Sequence, residues 1–113
     1  MAPMKSKVTF ASERVKKSLE RLEGLKFENK NLKRWLERAF KDMENDAHCG
    51  IQVPKKLIPK EYVRKYKITN LWKYNLPNAW RLIYTVSPGE VTIFSVVLEW
   101  MSHKDYEKRF KYR

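Results

Sequence analysis

The spacing of apolar residues predicts two helices in the first half of the chain. From Ser12 onward, Val15, Leu19 and Leu22 recur at helical intervals, and Gly24 is a residue at which such a helix would stop. The second helix has the clearest pattern in the sequence, with apolar side chains on one face and charged side chains on the other. The apolar positions are Leu32, Trp35, Leu36, Ala39, Phe40 and Met43. Together the two patterns predict a helical hairpin whose aromatic stripe belongs to the core.

Strand patterns lie on both sides of this hairpin. Residues 7–10 are short and β-prone, and they fit an edge strand. Segments 68–74, 80–86 and 91–98 predict three more strands, joined by turns that contain Pro, Gly and Asn. The last segment is apolar on both faces, which predicts a central and fully covered strand.

Two shorter features complete the prediction. Residues 45–59 predict an irregular loop, and Pro59 fits the start of a short helical turn. A short helix is expected from Ser102. The order of elements is then an N-terminal strand, a helical hairpin, a three-stranded antiparallel meander packed on the helices, and a short C-terminal helix. This order predicts one α+β domain over residues 1–113, with the helices gathered on one side of the sheet.

The charge of the chain limits the classes of partner that it is expected to bind. Twenty-five Lys and Arg against thirteen Asp and Glu give a net charge of +12. Residues 47–113 carry 13 basic and 5 acidic side chains, a net +8, whereas residues 1–46 carry 12 and 8, a net +4. Such an excess attracts nucleic acid, an anionic membrane surface or an acidic protein. A polyanion is therefore expected on the second half of the chain.

Cysteine content and apolar run length predict where the protein resides. Cys49 is the one cysteine, so an intrachain disulfide is excluded and a reducing compartment is expected. Apolar runs are too short to span a bilayer, and the N-terminus lacks the apolar core of a signal peptide. We therefore expect a cytoplasmic protein with no membrane partner. The basic residues are spread over strands instead of lining one amphipathic helix, which disfavours a membrane-surface role.

One predicted strand contains an arginine among apolar residues. Alternation places Arg81 on one face with Ile83 and Thr85, and Trp80, Leu82 and Tyr84 on the other. A buried guanidinium is costly without an anionic partner. Two partners fit equally well, a carboxylate such as Glu99 or a substrate phosphate held by two hydrogen bonds. The sequence leaves both open.

A histidine begins the last predicted helix. Ser102 followed by Asp105 is a capping-box pattern, which places His103 at the first helical position and Tyr106 one turn later. A helix N-terminus attracts phosphate and favours the neutral form of an imidazole, which is suited to exchanging a proton. The alternative is that His103 is an ordinary exposed residue and that Tyr106 only packs.

A stretch of alternating basic and aromatic residues spans residues 62–74. Its cations are Arg64, Lys65, Lys67 and Lys73, and its rings are Tyr62, Tyr66, Trp72 and Tyr74. Single-stranded RNA fits such a pattern, because its bases stack on aromatic rings while its phosphates meet cations. A solvated strand with aromatic residues in the core is the other interpretation.

These segments together resemble the RelE/ParE toxin superfamily. The resemblance rests on residues 70–84, which end in Arg81-Leu82-Ile83-Tyr84, and on the closing Ser102-His103-Lys104-Asp105-Tyr106. It covers residues 60–112 by motif and the first 45 residues by element order alone. The resemblance implies a toxin of a type II toxin–antitoxin system that cleaves mRNA, often on the ribosome, and so inhibits translation. It also implies an acidic antitoxin as partner.

The resemblance implies roles for individual residues. Arg81 would stabilise the charge of the transition state, His103 would act as acid or base, and Tyr106 would stack on or orient the substrate. RNA contacts are expected from Arg64, Lys65, Lys67, Lys73, Lys104 and Arg109. Some members carry an additional arginine before the terminal tyrosine, but this chain has Glu99, Trp100 and Met101 there. Glu99 is then a candidate base, as acidic residues are in some relatives, or a partner that holds Arg81.

The sequence lacks the motifs that are typical of other enzyme classes. Two histidines and one cysteine do not supply a clustered metal site, and there is no phosphate-binding loop or dinucleotide fingerprint. The expected catalysis uses no metal or cofactor. Two alternatives remain: the gyrase-inhibiting ParE-like branch of the same superfamily, and a basic RNA-binding domain without catalysis.

Overall fold

The protein is an α+β fold built on one five-stranded mixed sheet. In a computed structural model that describes residues 2–22 and 27–110, the strands lie in the order β1-β5-β4-β3-β2. Their bounds are β1 Lys7–Phe10, β2 Ile51–Gln52, β3 Trp72–Asn75, β4 Arg81–Pro88 and β5 Ile93–Met101. The described helices are α1 Glu13–Glu20, α2 Phe27–Asn45, α3 Lys60–Tyr66 and α4 His103–Phe110, with single 3-10 turns at Lys55–Leu57 and Pro77–Ala79.

The pairing of β5 determines which side chains share a face. Strand β1 runs parallel to β5, whereas β2–β3, β3–β4 and β4–β5 are antiparallel. Tyr84 pairs with Val97 but Ile83 pairs with Glu99, so Leu98 is an extra residue in β5. Such a bulge shifts the alternation of the strand that contains it. As a result Glu99 lies on the same face of the sheet as Ile83 and Arg81.

The two faces of the sheet carry separate cores. On one face, Leu36 and Met43 of α2 pack with Leu82 and Tyr84, and all four are fully buried. On the other, Ile83 packs with side chains from the two shorter helices. These are Tyr62 of α3 with Tyr106 and Phe110 of α4. Because successive strand residues point to opposite faces, the prediction that the helices gather on one side is wrong. The hairpin covers one face, and α3 with α4 covers the other.

The sequence pattern missed one strand. The loop predicted over residues 45–59 contains β2, whose two residues pair with Trp72 and Lys73 of β3. A two-residue strand has no alternation to detect, and it is specified by its partner. The α+β class, the edge position of β1 and the short helix after Pro59 are confirmed. The predicted helix stop at Gly24 lies outside the described residues.

The last predicted strand begins later and ends later than the apolar run suggests. Val91 is 98% exposed and lies in the turn after β4, where the Gly89 N–H donates to the carbonyl of Thr92 at 2.7 Å. Strand β5 continues to Met101 and lies between β1 and β4, so it is an interior strand although β4 occupies the middle position. Within the described ranges, none of the helices has the length and apolar character required to cross a bilayer.

Candidate functional site

Arg81 stands at the start of β4, where no described carboxylate is its partner. It pairs with Met101 of β5 on one side and Asn75 of β3 on the other. Its Nη1 donates to the carbonyl of Trp80 at 3.1 Å, whereas its Nε is buried and has no hydrogen-bond partner among the described residues. Leaving a buried charged donor unsatisfied is unfavourable. None of the described carboxylates forms an ion pair with this guanidinium.

A second cation and a phenol ring lie beside Arg81. The guanidinium carbon of Arg81 is 5.7 Å from the centre of the Tyr106 ring, and Lys73 Nζ is 5.3 Å from the same point. Lys73 reaches this place because it pairs with Ile83, which faces the same side of the sheet. We call Lys73, Arg81 and Tyr106 the Arg81 cluster. Its two cations share one aromatic ring, a favourable arrangement for each cation.

Tyr106 is the buried member of the Arg81 cluster. The residue is only 2% exposed, and its ring stacks on Phe110 with centres 4.3 Å apart. Because the Tyr106 ring is buried, it has no exposed face on which a substrate base could stack, as the first predicted role requires. The second predicted role, orienting groups at the site, fits a buried ring that holds two cations on the same side of the sheet.

His103 lies at the entrance to helix α4, close in the chain to the Arg81 cluster. Ser102 caps the helix, since its Oγ accepts the N–H of Asp105 at 3.3 Å, as the capping pattern predicted. Met101, the β5 partner of Arg81, precedes His103 by two residues. The imidazole side chain is 51% exposed and contacts Glu107 one turn further on. His103 is therefore open to solvent, whereas Tyr106 on the same helix points inward.

Glu99 has partners other than Arg81. Its carboxylate accepts hydrogen bonds from the Tyr62 hydroxyl and from Arg109 Nη1, the latter at 2.8 Å. Arg109 Nε also lies 3.4 Å from Glu61 Oε1, and its guanidinium lies 5.6 Å from the centre of the Tyr62 ring. These contacts join α3, α4 and β5. The sequence left two partners open for Arg81, a carboxylate such as Glu99 or a substrate phosphate. In the structure the Glu99 carboxylate binds Tyr62 and Arg109 instead of Arg81.

The remaining predicted RNA-binding cations are dispersed. Arg64, Lys65 and Lys67 are exposed on α3 and at its C-terminal end, and Lys104 is exposed in the first turn of α4. Arg109 is half-buried, and its charge is opposed by two carboxylates. Burial alone would lower the pKa of Arg109, but Glu99, Tyr62 and Glu61 raise it. Of the predicted cations, Lys73 is the one that contacts the same ring as Arg81.

The sequence did not single out Phe110 at the site, and it predicted Tyr62 only as a ring that would stack on RNA bases. Phe110 stacks on Tyr106, and Tyr62 donates to Glu99. Phe110 follows Tyr106 by four residues, so helical spacing on α4 could have identified it. Tyr62 has no such signal, because its partner lies 37 positions away in the chain.

Three phenols are protected from ionisation by their surroundings. Burial is the largest cause for each, and a hydrogen bond to the Asp42 carboxylate adds to it at Tyr74, whose pKa rises to about 12. The pKa values of Tyr62 and Tyr84 are also raised, by Glu99 in addition to burial at Tyr62 and by Cys49 in addition to burial at Tyr84. Tyr84 also donates to the carbonyl of Ala47 and accepts from the N–H of Gly50.

We expect these phenols to make stability fall at alkaline pH. A pKa near 10 in the unfolded chain and a higher value in the folded protein mean that the stabilising contribution is complete below pH 10 and declines above it. Tyrosinate absorbance at pH 11 should show at least three of the six tyrosines un-ionised in the native protein and most ionised in denaturant. Titration of all six tyrosines near pH 10 in the native state would contradict this arrangement.

Comparisons with other proteins leave the site to be interpreted from its own geometry. Within residues 2–22 and 27–110, no three His, Cys, Asp or Glu side chains are grouped so that they could hold a metal ion. No protein-family model, no curated protein and no solved structure matches this chain.

Proposed function

We propose that this protein is a RelE-like toxin of a type II toxin–antitoxin system, a metal-independent endoribonuclease that cleaves mRNA. The observation that carries the proposal is the buried Nε of Arg81, which has no partner among the described residues, beside the second cation Lys73. Two cations fixed on one side of a sheet suit a phosphate, which offers several acceptor oxygens. The net charge of +12 favours a polyanion over a small anionic metabolite.

The proposed reaction is transesterification at one phosphodiester of the RNA. The 2′-oxygen forms a bond to the adjacent phosphorus, the bond from phosphorus to the 5′-oxygen breaks, and a 2′,3′-cyclic phosphate and a free 5′-hydroxyl result. Negative charge builds up on the phosphorane oxygens. Arg81 and Lys73 stabilise that charge. A preorganised cation at a site from which water is partly excluded stabilises developing charge more strongly than a cation in water does.

Proton transfer is assigned to His103. As a neutral imidazole it accepts the proton of the attacking 2′-hydroxyl, and the departing 5′-oxygen takes a proton from water. The exposed position of His103 gives both RNA and water access to it. Tyr106 acts as a positioning residue, because its buried ring fixes the two cations. Glu99 is better suited to fastening α4 to the sheet than to acting as base, since two donors already bind it.

The proposal extends to partners. The exposed cations of α3 and α4 give the face that carries the Arg81 cluster a surface for mRNA, on or off the ribosome. An acidic antitoxin would neutralise the toxin by covering the same cations. The element order supports the proposal, since a first strand and a helical hairpin precede the antiparallel strands β3, β4 and β5 and the short helix α4, which is the order on which the resemblance rests.

The chemistry of the products tests the proposal. Purified protein is incubated in EDTA with 5′-labelled RNA, alone and on programmed ribosomes, and the new ends are identified. We expect discrete cuts that leave a 2′,3′-cyclic phosphate, and complete resistance where a 2′-deoxynucleotide replaces the nucleotide 5′ of the cut. Uncut RNA in both settings would contradict the proposal. Inhibition of gyrase supercoiling in a parallel assay would then favour the ParE-like branch.

A further inference from the structure

A cavity lies beside the end of β5 that β1 does not cover. Strand β1 accompanies β5 only as far as Val97, where the Ala11 N–H donates to the Val97 carbonyl at 2.9 Å before the chain turns into α1. In the described pairings no strand flanks residues 98–101 on that side. A cavity of about 440 Å³ lies next to this part of β5, between α1, α3 and α4.

The lining of this cavity combines cations with aromatic rings. Arg14 of α1 and Lys65 of α3 are exposed lining residues, and neither forms an ion pair with a described carboxylate. Tyr66 and Trp100 are half-buried aromatic lining residues. The Glu61 carboxylate, which is 53% exposed, adds an acceptor. We call this site the β5 groove.

We infer that the β5 groove holds a nucleotide of the RNA adjacent to the one that is cut. This inference rests on the proposed ribonuclease function and adds a subsite to it. A nucleotide is a planar ring joined to a phosphate. The groove offers aromatic surface for the ring, and for the phosphate it offers Arg14 and Lys65, which form no ion pair with a described carboxylate although Lys65 lies over the Tyr66 ring. A cavity of this volume is in the range of small-ligand sites. A purely apolar peptide would leave both cations unused.

The groove is close enough to the Arg81 cluster for one RNA strand to reach both. Helix α4 contributes Tyr106 to the cluster and Arg109 to the groove, three residues apart, which is about 4.5 Å along a helix axis. Strand β5 contributes Trp100 to the groove, and the partner of Trp100, Leu82, faces α2. It also contributes Glu99, whose partner Ile83 lies on the same face as Arg81. The two sites therefore adjoin through α4 and through the pairing of β5 with β4.

The direct test measures nucleotide binding without cleavage. Each of the four nucleoside 5′-monophosphates and inorganic phosphate is titrated into the full chain, and the indole N–H signal of Trp100 is followed by NMR, assigned with Trp100→Phe. We expect at least one nucleotide to shift this signal and to bind at least 5-fold more tightly than phosphate. Equal binding of phosphate and all nucleotides, or tighter binding of a hexaglutamate peptide, would overturn the inference.

A matched pair of variants tests the groove in the reaction. Arg14→Ala should raise the KM for RNA roughly 3- to 10-fold, the effect of losing one charged contact, with kcat unchanged. Arg38→Ala removes the same charge from an exposed position on α2 and should leave KM unchanged. If Arg14→Ala behaves like Arg38→Ala while wild-type protein cleaves RNA, the groove inference fails alone. If nucleotides bind the groove but RNA is never cut, the proposed function fails alone.

Discussion

Replacing Arg81 with alanine should reduce RNA cleavage by about 10²-fold or more, with little change in the affinity of the RNA. The guanidinium is held by the backbone of Trp80 and by the Tyr106 ring, and its buried Nε has no protein acceptor among the described residues. A group so placed contributes most when charge develops on the phosphorane, so the loss should appear in kcat. Single-turnover cleavage of a labelled RNA measures it.

Two further variants show whether the effect is specific. Arg38→Ala removes one positive charge from an exposed site on α2, and it should cleave at the wild-type rate because α2 packs on the other face of the sheet. Arg81→Lys keeps the charge but not the planar pair of donors, and it should recover only part of the activity. Equal activity of Arg81→Ala and wild type, both folded by circular dichroism, would contradict the assigned role.

Replacing His103 with alanine should reduce cleavage by about 10²-fold, in the range of a lost proton-transfer group. His103 is the first residue of α4, half exposed, and joined by one residue to the strand partner of Arg81. Its side chain is 51% exposed and contacts Glu107, which is also exposed. The fold should therefore persist, and the loss should be one of chemistry.

The chain supplies a matched control for this variant. His48 is the other histidine, and it stacks on Trp72 with ring centres 4.8 Å apart, and Trp72 packs against the core that α2 covers. His48→Ala should lower stability slightly and leave the cleavage rate of the folded protein unchanged. Equal losses of activity in the two variants would show that His103 has no special part in the reaction.

Local patterns in the sequence predicted what local forces determine. The apolar face of α2, the cap at Ser102 and the alternation that separates Arg81 from Leu82 all depend on residues a few positions apart, and each is found in the structure. The resemblance implied that Tyr106 and Arg81 share a site, and in the structure β5 leads from Met101, the partner of Arg81, into α4.

Features that depend on distant residues were not predictable. The bulge at Leu98 moves Glu99 to the face opposite that of Val97, and strict alternation would place both on one face. The partners of Glu99 are Tyr62, which is distant in sequence, and Arg109 from the following helix. The residues next to Glu99 in the sequence do not indicate that Tyr62 and Arg109 bind its carboxylate instead of Arg81. Similarly, β2 exists only through its pairing with β3.

The Nε–H signal of Arg81 in the presence of RNA measures directly whether this guanidinium binds a phosphate of the RNA. An RNA with one 2′-deoxynucleotide at the cutting site binds without reacting, and the arginine Nε–H signals of the protein are followed by ¹⁵N NMR, with Arg81→Lys for assignment. We expect the Arg81 signal to shift and to become protected from exchange as a phosphate oxygen accepts its proton. An unchanged Arg81 signal in a saturated complex, with other arginine signals shifted, would contradict it.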